Sequence, residues 1–354
     1  MTTPDTSQDL DVYTTCPTSA GNTSGTDYLK AVVDVARWTE EHSCRGALVY
    51  TDPSLMDPWA VAQATIAGTS AFVPMVAVQP FYHHPFVVAN TIASLATMYG
   101  RQLDVNFVSG GFQRHLTSLG DTLDHDQRYE RLREYADVVR RLVSQASTTH
   151  NGRHYQLARS RTNVRVATQL VPRYYVSGSS PASAAVADAL EVVQLSYPTP
   201  PEEFVGRPAA QRGRRGTGVR LGIIARDSAE EAWRDANDRF PDDDLGRQLH
   251  NIVQKTVSSV WHRDLSTRAD QQLTYADNYW LRPFRTYKTF CPYLVGSHSD
   301  VAFLLSSYLD DGVRTIVLDI PASSDDLGEA MVAIERATAM ASVKIQVASD
   351  DRTY

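Results

Sequence analysis

The chain has 354 residues, of which 42% are hydrophobic and 21% are charged, and its formal net charge is −7. This composition is typical of a globular protein with a large core, and the acidic balance argues against a nucleic-acid partner despite one short basic run at residues 212–215. Its three cysteines have no metal-binding or redox spacing, no apolar run reaches the roughly 20 residues that cross a bilayer, and the polar start is unlike a signal peptide. We therefore expect a cytoplasmic protein that binds no membrane.

Short apolar segments alternate with amphipathic segments along most of the chain. The segment PFVVANTIASLATMYG has helical apolar spacing and ends in Gly100, which is typical of a helix C-terminus. Residues 126–143 form the clearest amphipathic helix, with apolar residues on one face. Eight segments are predicted as strands, namely residues 10–15, 45–51, 72–79, 103–111, 173–180, 192–196, 219–226 and 314–320.

Eight strand–helix units are the number that closes a parallel (β/α)8 barrel, the TIM-barrel fold. An open doubly wound sheet is the alternative, but its Gly-rich dinucleotide fingerprint is missing after the first strand, in LDVYTTCPTSAG. We predict an α/β protein with one TIM-barrel domain over residues 1–354. Two segments interrupt the alternation and are predicted insertions, at about residues 148–170 and 228–290; the second is a candidate lid.

Active sites of such barrels lie in the loops that follow the strands. Two of these loops are rich in glycine and serine, VSGG with Ser109, Gly110 and Gly111, and VSGSS with Gly178, Ser179 and Ser180. Glycine lets a ligand approach the backbone closely, and a serine-lined turn that runs into a helix can bind an anion. Taken singly, each loop is better explained as a tight turn between a strand and a helix.

The segment LDHDQRYERL opens the long helix with His125 and Tyr129, which share one helix face four residues apart. One interpretation is that Asp124 or Asp126 caps the helix and the other side chains are solvated surface. The other interpretation is a phosphate site, which is favoured because the neighbouring unit also offers anion donors. No zinc, P-loop or hydrolase motif is present and no metal site is expected, so a bound cofactor is expected to carry the reaction.

Seven motifs occur in an order that resembles a known family. They are YTDPSLMDPWAVA, HHPFVVANTIASL, GRQLDVNFVSGG, LDHDQRYERLREYADVVRRL, YYVSGSSPAS, RLGIIARDSAEEAW and YLVGSHSDVAFLL. Together they resemble the bacterial-luciferase-like flavin monooxygenases, and most closely the alkanesulfonate monooxygenase branch. The similarity extends from about residue 10 to residue 337 and is weakest between residues 230 and 287.

The resemblance implies a TIM barrel that takes reduced FMN (FMNH2) from a separate flavin reductase. Such a two-component enzyme reacts FMNH2 with O2 to a flavin C4a-peroxide and inserts one oxygen atom into a small organic substrate. The family's phosphate ligands map to His125, Tyr129, Ser179 and Ser180. Its glycine pair beside the flavin maps to Gly110 and Gly111, with Ser109 in place of threonine. A homodimer or homotetramer is also implied.

Further site residues are expected from their places after the strands. Gln79 and His84 are candidates to border the flavin ring or the substrate. Arg220 and Arg285 are candidates to stabilise the peroxide or a substrate anion electrostatically, although a structural ion pair explains each arginine equally well.

The chain departs from the alkanesulfonate branch on the substrate side of the site. Leu55 stands where that branch has a cysteine, Gly222 where it has a histidine, and Ile320 where it has a tyrosine. Its GDP turn becomes GSH at residues 296–298. We therefore predict a substrate pocket at Leu55, Gly222 and Ile320 for a bulkier or less charged molecule of specialised metabolism than a simple alkanesulfonate.

Two alternatives remain open from the sequence. The superfamily also contains deazaflavin (F420)-dependent oxidoreductases, which transfer hydride on the same fold. The missing cysteine and histidine also fit a flavin-binding protein without catalytic activity.

Overall fold

The computed structural model describes residues 10–21, 24–162, 164–206, 216–254 and 259–350, with the backbone alone at 113 and 342–350. The basic run at residues 212–215 and the polar start of the chain lie outside these residues. The strands are β1 Asp11–Thr15, β2 Gly46–Val49, β3 Val73–Val78, β4 Asp104–Phe107, β5 Thr148–Asn151, β6 Gln156–Ser160, β7 Tyr174–Ser177, β8 Val193–Ser196, β9 Thr217–Arg226, β10 Thr274–Tyr275, β11 Tyr279–Trp280, β12 Tyr293–Ser297 and β13 Val313–Leu318.

Helices follow most of these strands. They are α1 Gly25–Glu41, α2 Pro58–Ala67, α3 Pro85–Tyr99, α4 Gln113–Ser118, α5 His125–Ser144, α6 Pro181–Leu190, α7 Pro201–Val205, α8 Ala229–Arg239, α9 Asp244–Gln254, α10 Val260–Gln271, α11 Arg282–Arg285, α12 His298–Asp310 and α13 Ser324–Asp350. Within the described residues, no helix combines the length and the apolar character needed to cross a bilayer.

Eight strands close a barrel in which every neighbouring pair is parallel. The order around the barrel is β1, β2, β3, β4, β7, β8, β9 and β13, and β13 pairs with β1 to close the ring. These are the eight segments predicted as strands from the sequence. The predicted (β/α)8 barrel is therefore confirmed.

The barrel interior is filled by side chains from six of its strands. They are Tyr13, Leu48, Met75, Ala77, Tyr175, Leu195 and Val317. At the first residue of β4, the buried carboxylate of Asp104 accepts hydrogen bonds from the Tyr13 hydroxyl at 2.6 Å and from Arg45 Nε at 2.9 Å. These partners offset the cost of burying the carboxylate. The cluster closes the amino end of the barrel.

Side chains on the opposite face of each strand pack against the surrounding helices. Val105 and Val176, for example, belong to a cluster with Leu132 and Val139 of α5, the apolar stripe predicted from the sequence. Helices α2, α3 and α6 each begin with proline at the first helical position after a side-chain cap. Local sequence signals therefore set where these helices start.

Strand β9 is longer than the others and extends beyond the barrel. Its first half closes the ring, while residues 222–226 pair in parallel with β12. Strand β12 was not predicted as a strand from the sequence. It is flanked by β11, so β10, β11 and β12 form a small extension of the sheet beside the end of β9. The segment at 148–170 contains the antiparallel pair β5–β6, which packs along α5.

Candidate functional site

The carboxyl ends of the eight barrel strands, with the residues directly after them, form what we call the mouth of the barrel. Polar side chains collect there in two groups. One group surrounds the Tyr129 hydroxyl near the ends of β4 and β7, and the other surrounds Arg220 on β9. Catalytic loops of parallel barrels occupy this end, so both groups lie where an active site is expected.

Tyr129 is buried on the second turn of α5, and its hydroxyl donates to the Ser177 carbonyl oxygen at 3.1 Å. Burial raises the pKa of this phenol, and the nearby hydroxyls of Ser109, Ser180 and Ser183 oppose the rise. Three elements thus bring hydroxyl groups to one point: the loop after β4, helix α5 and the start of α6. Such a set of donors suits an anion with several oxygen atoms.

Gly178 is required by the close approach of Tyr129. Its φ is +142°, and a Cβ atom at this position would lie 2.3 Å from the Tyr129 hydroxyl oxygen. The following turn leads into α6, where the Ser180 side chain caps the helix by accepting from Ser183 N at 3.2 Å. Ser179 is exposed beside it. The N-terminus of α6, with its positive dipole end, is therefore directed at the Tyr129 group.

Helix α5 begins with a complete capping box. The Asp124 side chain accepts from Gln127 N at 2.9 Å, and the Gln127 side chain accepts from Asp124 N at 3.1 Å. His125 is partly exposed; its Nδ1 lies 2.8 Å from Asp126 Oδ1, and its ring centroid is 5.0 Å from that of Tyr129. Capping and an anion site are therefore compatible, because different residues supply them.

The structure brings together, as neighbours, His125, Tyr129, Gly178, Ser179 and Ser180. It adds Ser183 and Gln194, which the sequence did not indicate. Gln194 on β8 donates from Nε2 to the Gly178 carbonyl oxygen at 2.8 Å and to Ser183 Oγ at 3.1 Å. A buried glutamine within the apolar segment VVQLS was the one signal that could have identified it.

Gln79, directly after β3, lies beside the glycine pair that follows β4. A Cβ atom at Gly110, whose φ is +90°, would lie 2.8 Å from Gln79 Nε2. This amide is buried and interacts with the Tyr82 hydroxyl, but Nε2 reaches no partner at hydrogen-bond geometry within the described residues. A buried donor without a partner is costly unless a ligand accepts from it. A Cβ atom at Gly111, on the same loop, would lie 3.6 Å from Ser259 Cβ, an ordinary van der Waals distance.

Arg220 points from β9 into the mouth and is held there by three side chains. Its guanidinium donates to the hydroxyls of Tyr50 and Tyr197 and lies 3.2 Å from Asp319 Oδ1. The guanidinium carbon also lies 4.8 Å from the centroid of the Tyr50 ring, an arrangement that favours a cation. Arg220 is 8% exposed, and its Nε atom has no hydrogen-bond partner within the described part of the chain.

Asp319 follows β13 and connects Arg220 to the segment before β12. Its Oδ2 atom accepts from the Thr289 hydroxyl at 2.5 Å and from the Tyr293 hydroxyl at 2.9 Å. Burial raises the pKa of the Cys291 thiol, which lies 3.4 Å from Thr289 Oγ1. The sequence indicated none of these residues, since Asp319 stands at a strand end that carries no motif.

Of the predicted substrate residues, Gly222 and Ile320 line one small cavity of about 20 Å³ together with Tyr293 and Asp319. The volume is enough for about one water molecule. The space above Gly222 is taken by the Tyr293 ring, whose atoms would lie 2.3–2.5 Å from a Cβ atom at position 222. Leu55 is part of the loop after β2, half-buried, and does not line this cavity.

Two predicted catalytic residues have other partners in the structure. His84 is exposed, and its Nδ1 accepts from Phe86 N at 3.2 Å to cap α3. Arg285 lies on α11, where it pairs with Asp270 at 2.9 Å and donates to the Arg247 carbonyl oxygen at 3.3 Å. The structure therefore does not bring either residue into hydrogen-bond contact with Arg220, Gln79 or Tyr129.

A pair of buried histidines lies in the segment predicted as an insertion. His250 and His262 are almost fully buried, and their ring centroids are 6.1 Å apart. Burial lowers the pKa of each to about 4. The His262 ring also contacts Phe112, next to Gly111, with a centroid distance of 6.4 Å. This segment therefore packs against the loop after β4. No cluster of three or more metal-ligating side chains occurs among the described residues.

Comparisons with known proteins point to one family. A family model described as luciferase-like monooxygenase matches residues 10–315. A curated relative, the 4-(gamma-L-glutamylamino)butanoyl-[BtrI acyl-carrier protein] monooxygenase BtrO of Niallia circulans, is 29% identical over 304 residues, which cover 85% of this chain and 89% of the relative.

Solved structures share the fold at low sequence identity. EDTA monooxygenase from Chelativorans sp. BNC1 superposes with a TM-score of 0.70 at 14% identity, covering 93% of this chain and 94% of that one. The oxygenating constituent of 3,6-diketocamphane monooxygenase from Pseudomonas putida, in complex with FMN, gives 0.66 at 13% identity, covering 93% and 96%. The F420-dependent tetrahydromethanopterin reductase from Methanopyrus kandleri gives 0.62 at 12% identity, covering 93% and 97%.

Proposed function

The chain belongs to the luciferase-like monooxygenase family, as its motifs predict, and on this premise we propose that it is the oxygenase of an FMNH2-dependent two-component monooxygenase. The observation that carries the proposal is the Tyr129 hydroxyl of α5, which lies among serine hydroxyls from the loop after β4 and from the N-terminus of α6. That arrangement suits a phosphate monoester such as the one that ends FMN.

The residues present fit the cofactor at both of its ends. His125, Tyr129, Ser179 and Ser180 would bind the phosphate, and Gly178 keeps the space in front of the Tyr129 hydroxyl free of a side chain. Ser109, Gly110 and Gly111 lie on the adjacent loop, beside Gln79 Nε2, which has no partner at hydrogen-bond geometry within the described residues and can donate to a polar edge of the flavin ring. Reduced FMN supplies the two electrons that activate O2, and a separate flavin reductase is its proposed source.

The remaining tasks fall to the chain itself. Arg220 provides fixed N–H donors at the mouth, which stabilise negative charge developing on oxygen by hydrogen bonding. Water must be kept from the reacting centre, and residues 228–290 are the proposed lid because His262 and Phe290 of this segment pack on Phe112 beside the glycine pair. His84 and Arg285 remain weaker candidates, since each already has a structural partner. We propose a single barrel domain that assembles as a homodimer or homotetramer.

The proposed substrate is an organic molecule other than a simple alkanesulfonate. Position 222 offers no side chain to a substrate, and the Tyr293 ring covers it. The curated relative is named for a substrate carried on an acyl carrier protein, which makes a carrier-bound acyl chain a candidate for this protein as well.

The cofactor proposal is tested by measuring flavin affinity in two matched variants. Tyr129→Phe removes one hydroxyl from the phosphate group, and we expect flavin binding to weaken by roughly 1–3 kcal/mol because a hydrogen bond to a charged group is lost. Tyr135→Phe is the control: it makes the same change on the same helix at a buried hydroxyl that has no partner within the described residues. Equal dissociation constants for the two variants would show that the phosphate does not bind here.

Activity distinguishes the remaining alternatives. We expect the protein to consume O2 in the presence of FMN, a flavin reductase and substrate. Hydride transfer with reduced deazaflavin and no O2 uptake would favour the F420-dependent alternative, whose fold is also shared. FMN binding without substrate-dependent O2 uptake would identify a flavin-binding protein that is not an enzyme.

A further inference from the structure

We propose that the mouth of the barrel selects a substrate with a neutral carbonyl group, such as an amide or thioester, and rejects sulfonates and carboxylates, because Asp319 neutralises Arg220. This inference rests on the proposed function for the identity of the site. A neutral carbonyl group of the substrate contacts Arg220, and Asp319 is the residue that sets this specificity.

Arg220 and Asp319 form a pair of opposite charges whose net charge is zero. Arg220 and Asp319 lie 3.2 Å apart, and each side chain is only 10% exposed. An arginine is charged at every physiological pH. Within the described residues, the Asp319 carboxylate accepts hydrogen bonds from Arg220, the Thr289 hydroxyl and the Tyr293 hydroxyl, and it also interacts with the Cys291 thiol. The two side chains therefore act as a neutral pair, and the charge of Arg220 is not available in full to a substrate.

An anionic group of a substrate at this site would meet the Asp319 carboxylate as well as the Arg220 guanidinium. Like charges in a partly desolvated site repel strongly, because water screens them poorly. Arg239, which lines the small cavity, pairs with Asp326 at 2.8 Å. Arg226 pairs with the same carboxylate at 3.0 Å and with Asp235 at 2.8 Å, so two carboxylates balance the two arginines. These cations are already compensated, so they do not offset the repulsion.

Arg220 has N–H groups that its protein partners do not use. Within the described residues, Arg220 Nη1 donates to Tyr197, Nη2 donates to Tyr50 and Asp319, and the buried Nε has no partner. Three of the five N–H groups are thus used, and the N–H of Nε and one N–H of Nη1 remain. These two N–H groups, on a guanidinium whose charge Asp319 compensates, suit a neutral acceptor such as a carbonyl oxygen. A sulfonate has three acceptor oxygens and a full negative charge, and the site offers it neither enough donors nor a net positive charge.

Two residues outside the eight barrel strands hold the Asp319 carboxylate in place. Thr289 and Tyr293 come from the segment before and within β12, and the Tyr293 ring covers Gly222. The same segment thus fixes the carboxylate and removes the space that a side chain at position 222 would use. Both effects make the mouth neutral and less polar.

The test uses two probes of similar chain length, hexanamide and hexane-1-sulfonate. Their binding to the full-length protein is measured by isothermal titration calorimetry, with and without saturating FMN. We expect the wild type to bind the amide at least about tenfold more tightly than the sulfonate. Asp319→Asn should bind the sulfonate at least about tenfold more tightly than the wild type does, since Arg220 loses its compensating charge. The double variant Arg220→Gln/Asp319→Asn should lose this gain.

Two results would overturn the inference. One is a wild type that shows no preference for hexanamide, including one that binds neither probe; this comparison needs no variant and holds even where Asp319→Asn fails to fold. The other is a folded Asp319→Asn protein whose affinity for the sulfonate does not rise. Because flavin binding is measured separately, a failed cofactor proposal shows as a lost FMN titration, while the preference between the two probes remains readable.

Discussion

The hydroxyl oxygen of Tyr129 lies 2.3 Å from the point where a Cβ atom at Gly178 would begin. Helix α5 and the turn after β7 therefore meet at a distance that only glycine permits. The same residue has a positive φ of 142°, which side chains other than hydrogen rarely allow. Position 178 is thus determined both by the contact and by the backbone.

We expect Gly178→Ala to weaken FMN binding by about tenfold or more, because the new methyl group displaces the Tyr129 hydroxyl from the proposed phosphate ligands. Fluorescence titration of FMN measures this affinity. Gly312→Ala is the matched control, since Gly312 also has a positive φ of 92° but a Cβ atom there would meet no atom of the described residues within 4 Å. It should cost stability, about 1–3 kcal/mol from backbone strain, and leave FMN affinity unchanged. Equal FMN affinities for both variants would contradict the prediction.

Stability should fall in acid because of the two buried histidines. Burial lowers the pKa of His250 and His262 from 6.5 to about 4. Between these values the unfolded chain binds protons that the native protein does not, so the free energy of unfolding rises with pH and is lost as pH falls from about 6.5 to 4. The loss is up to about 3 kcal/mol for each histidine.

Urea unfolding at a series of pH values tests this expectation. The variant His250→Asn/His262→Phe removes both groups, and its stability should change less between pH 6.5 and 4 than that of the wild type. The phenylalanine suits its site, since Phe284 and Phe290 already pack around position 262. Parallel stability profiles for the two proteins would mean that other groups cause the acid sensitivity.

Gly222 and Tyr293 should be energetically coupled. Gly222→Ala places a methyl group against the Tyr293 ring and should lower the free energy of unfolding by about 1–3 kcal/mol. Tyr293→Ala removes a buried ring and a hydrogen bond to Asp319, at a cost of about 3–5 kcal/mol.

In the double variant the methyl group meets no ring, so the total cost should be smaller than the sum of the two single costs by at least about 0.5 kcal/mol. Urea denaturation of the four proteins completes this double-mutant cycle. Additive costs would show that the ring moves aside freely when position 222 gains a side chain.

Much of the fold could be predicted because its signals are local. Each barrel strand is a short apolar run, and the helices carry prolines, caps and apolar stripes that act within a few residues. Strand β12 was missed because it follows an irregular polar segment and its parallel partner β9 lies about 70 residues earlier in the chain. Pairing at such a separation leaves no periodic pattern that distinguishes it.

The two groups of polar residues at the mouth also differ in how far the sequence could indicate them. His125, Tyr129 and the turn at 178–180 stand at strand and helix ends, where spacing alone indicates that they face the same end of the barrel. Asp319 and Gln194 lie outside the seven family motifs, and Tyr293 begins one of them, YLVGSHSDVAFLL, at a position to which the sequence assigns no role. These three residues become part of the site through hydrogen bonds to residues that are between 11 and 99 positions away.

The sequence by itself determined the family, the eight strands and the helix start that offers donors to an anion, because these features depend on residue type and short spacing. Only the tertiary structure decided that Arg220 is neutralised, that Tyr293 covers Gly222, and that Arg285 lies in an ion pair on α11. The physical reason is that charge compensation and excluded volume depend on distances in space, and closure of the barrel sets those distances.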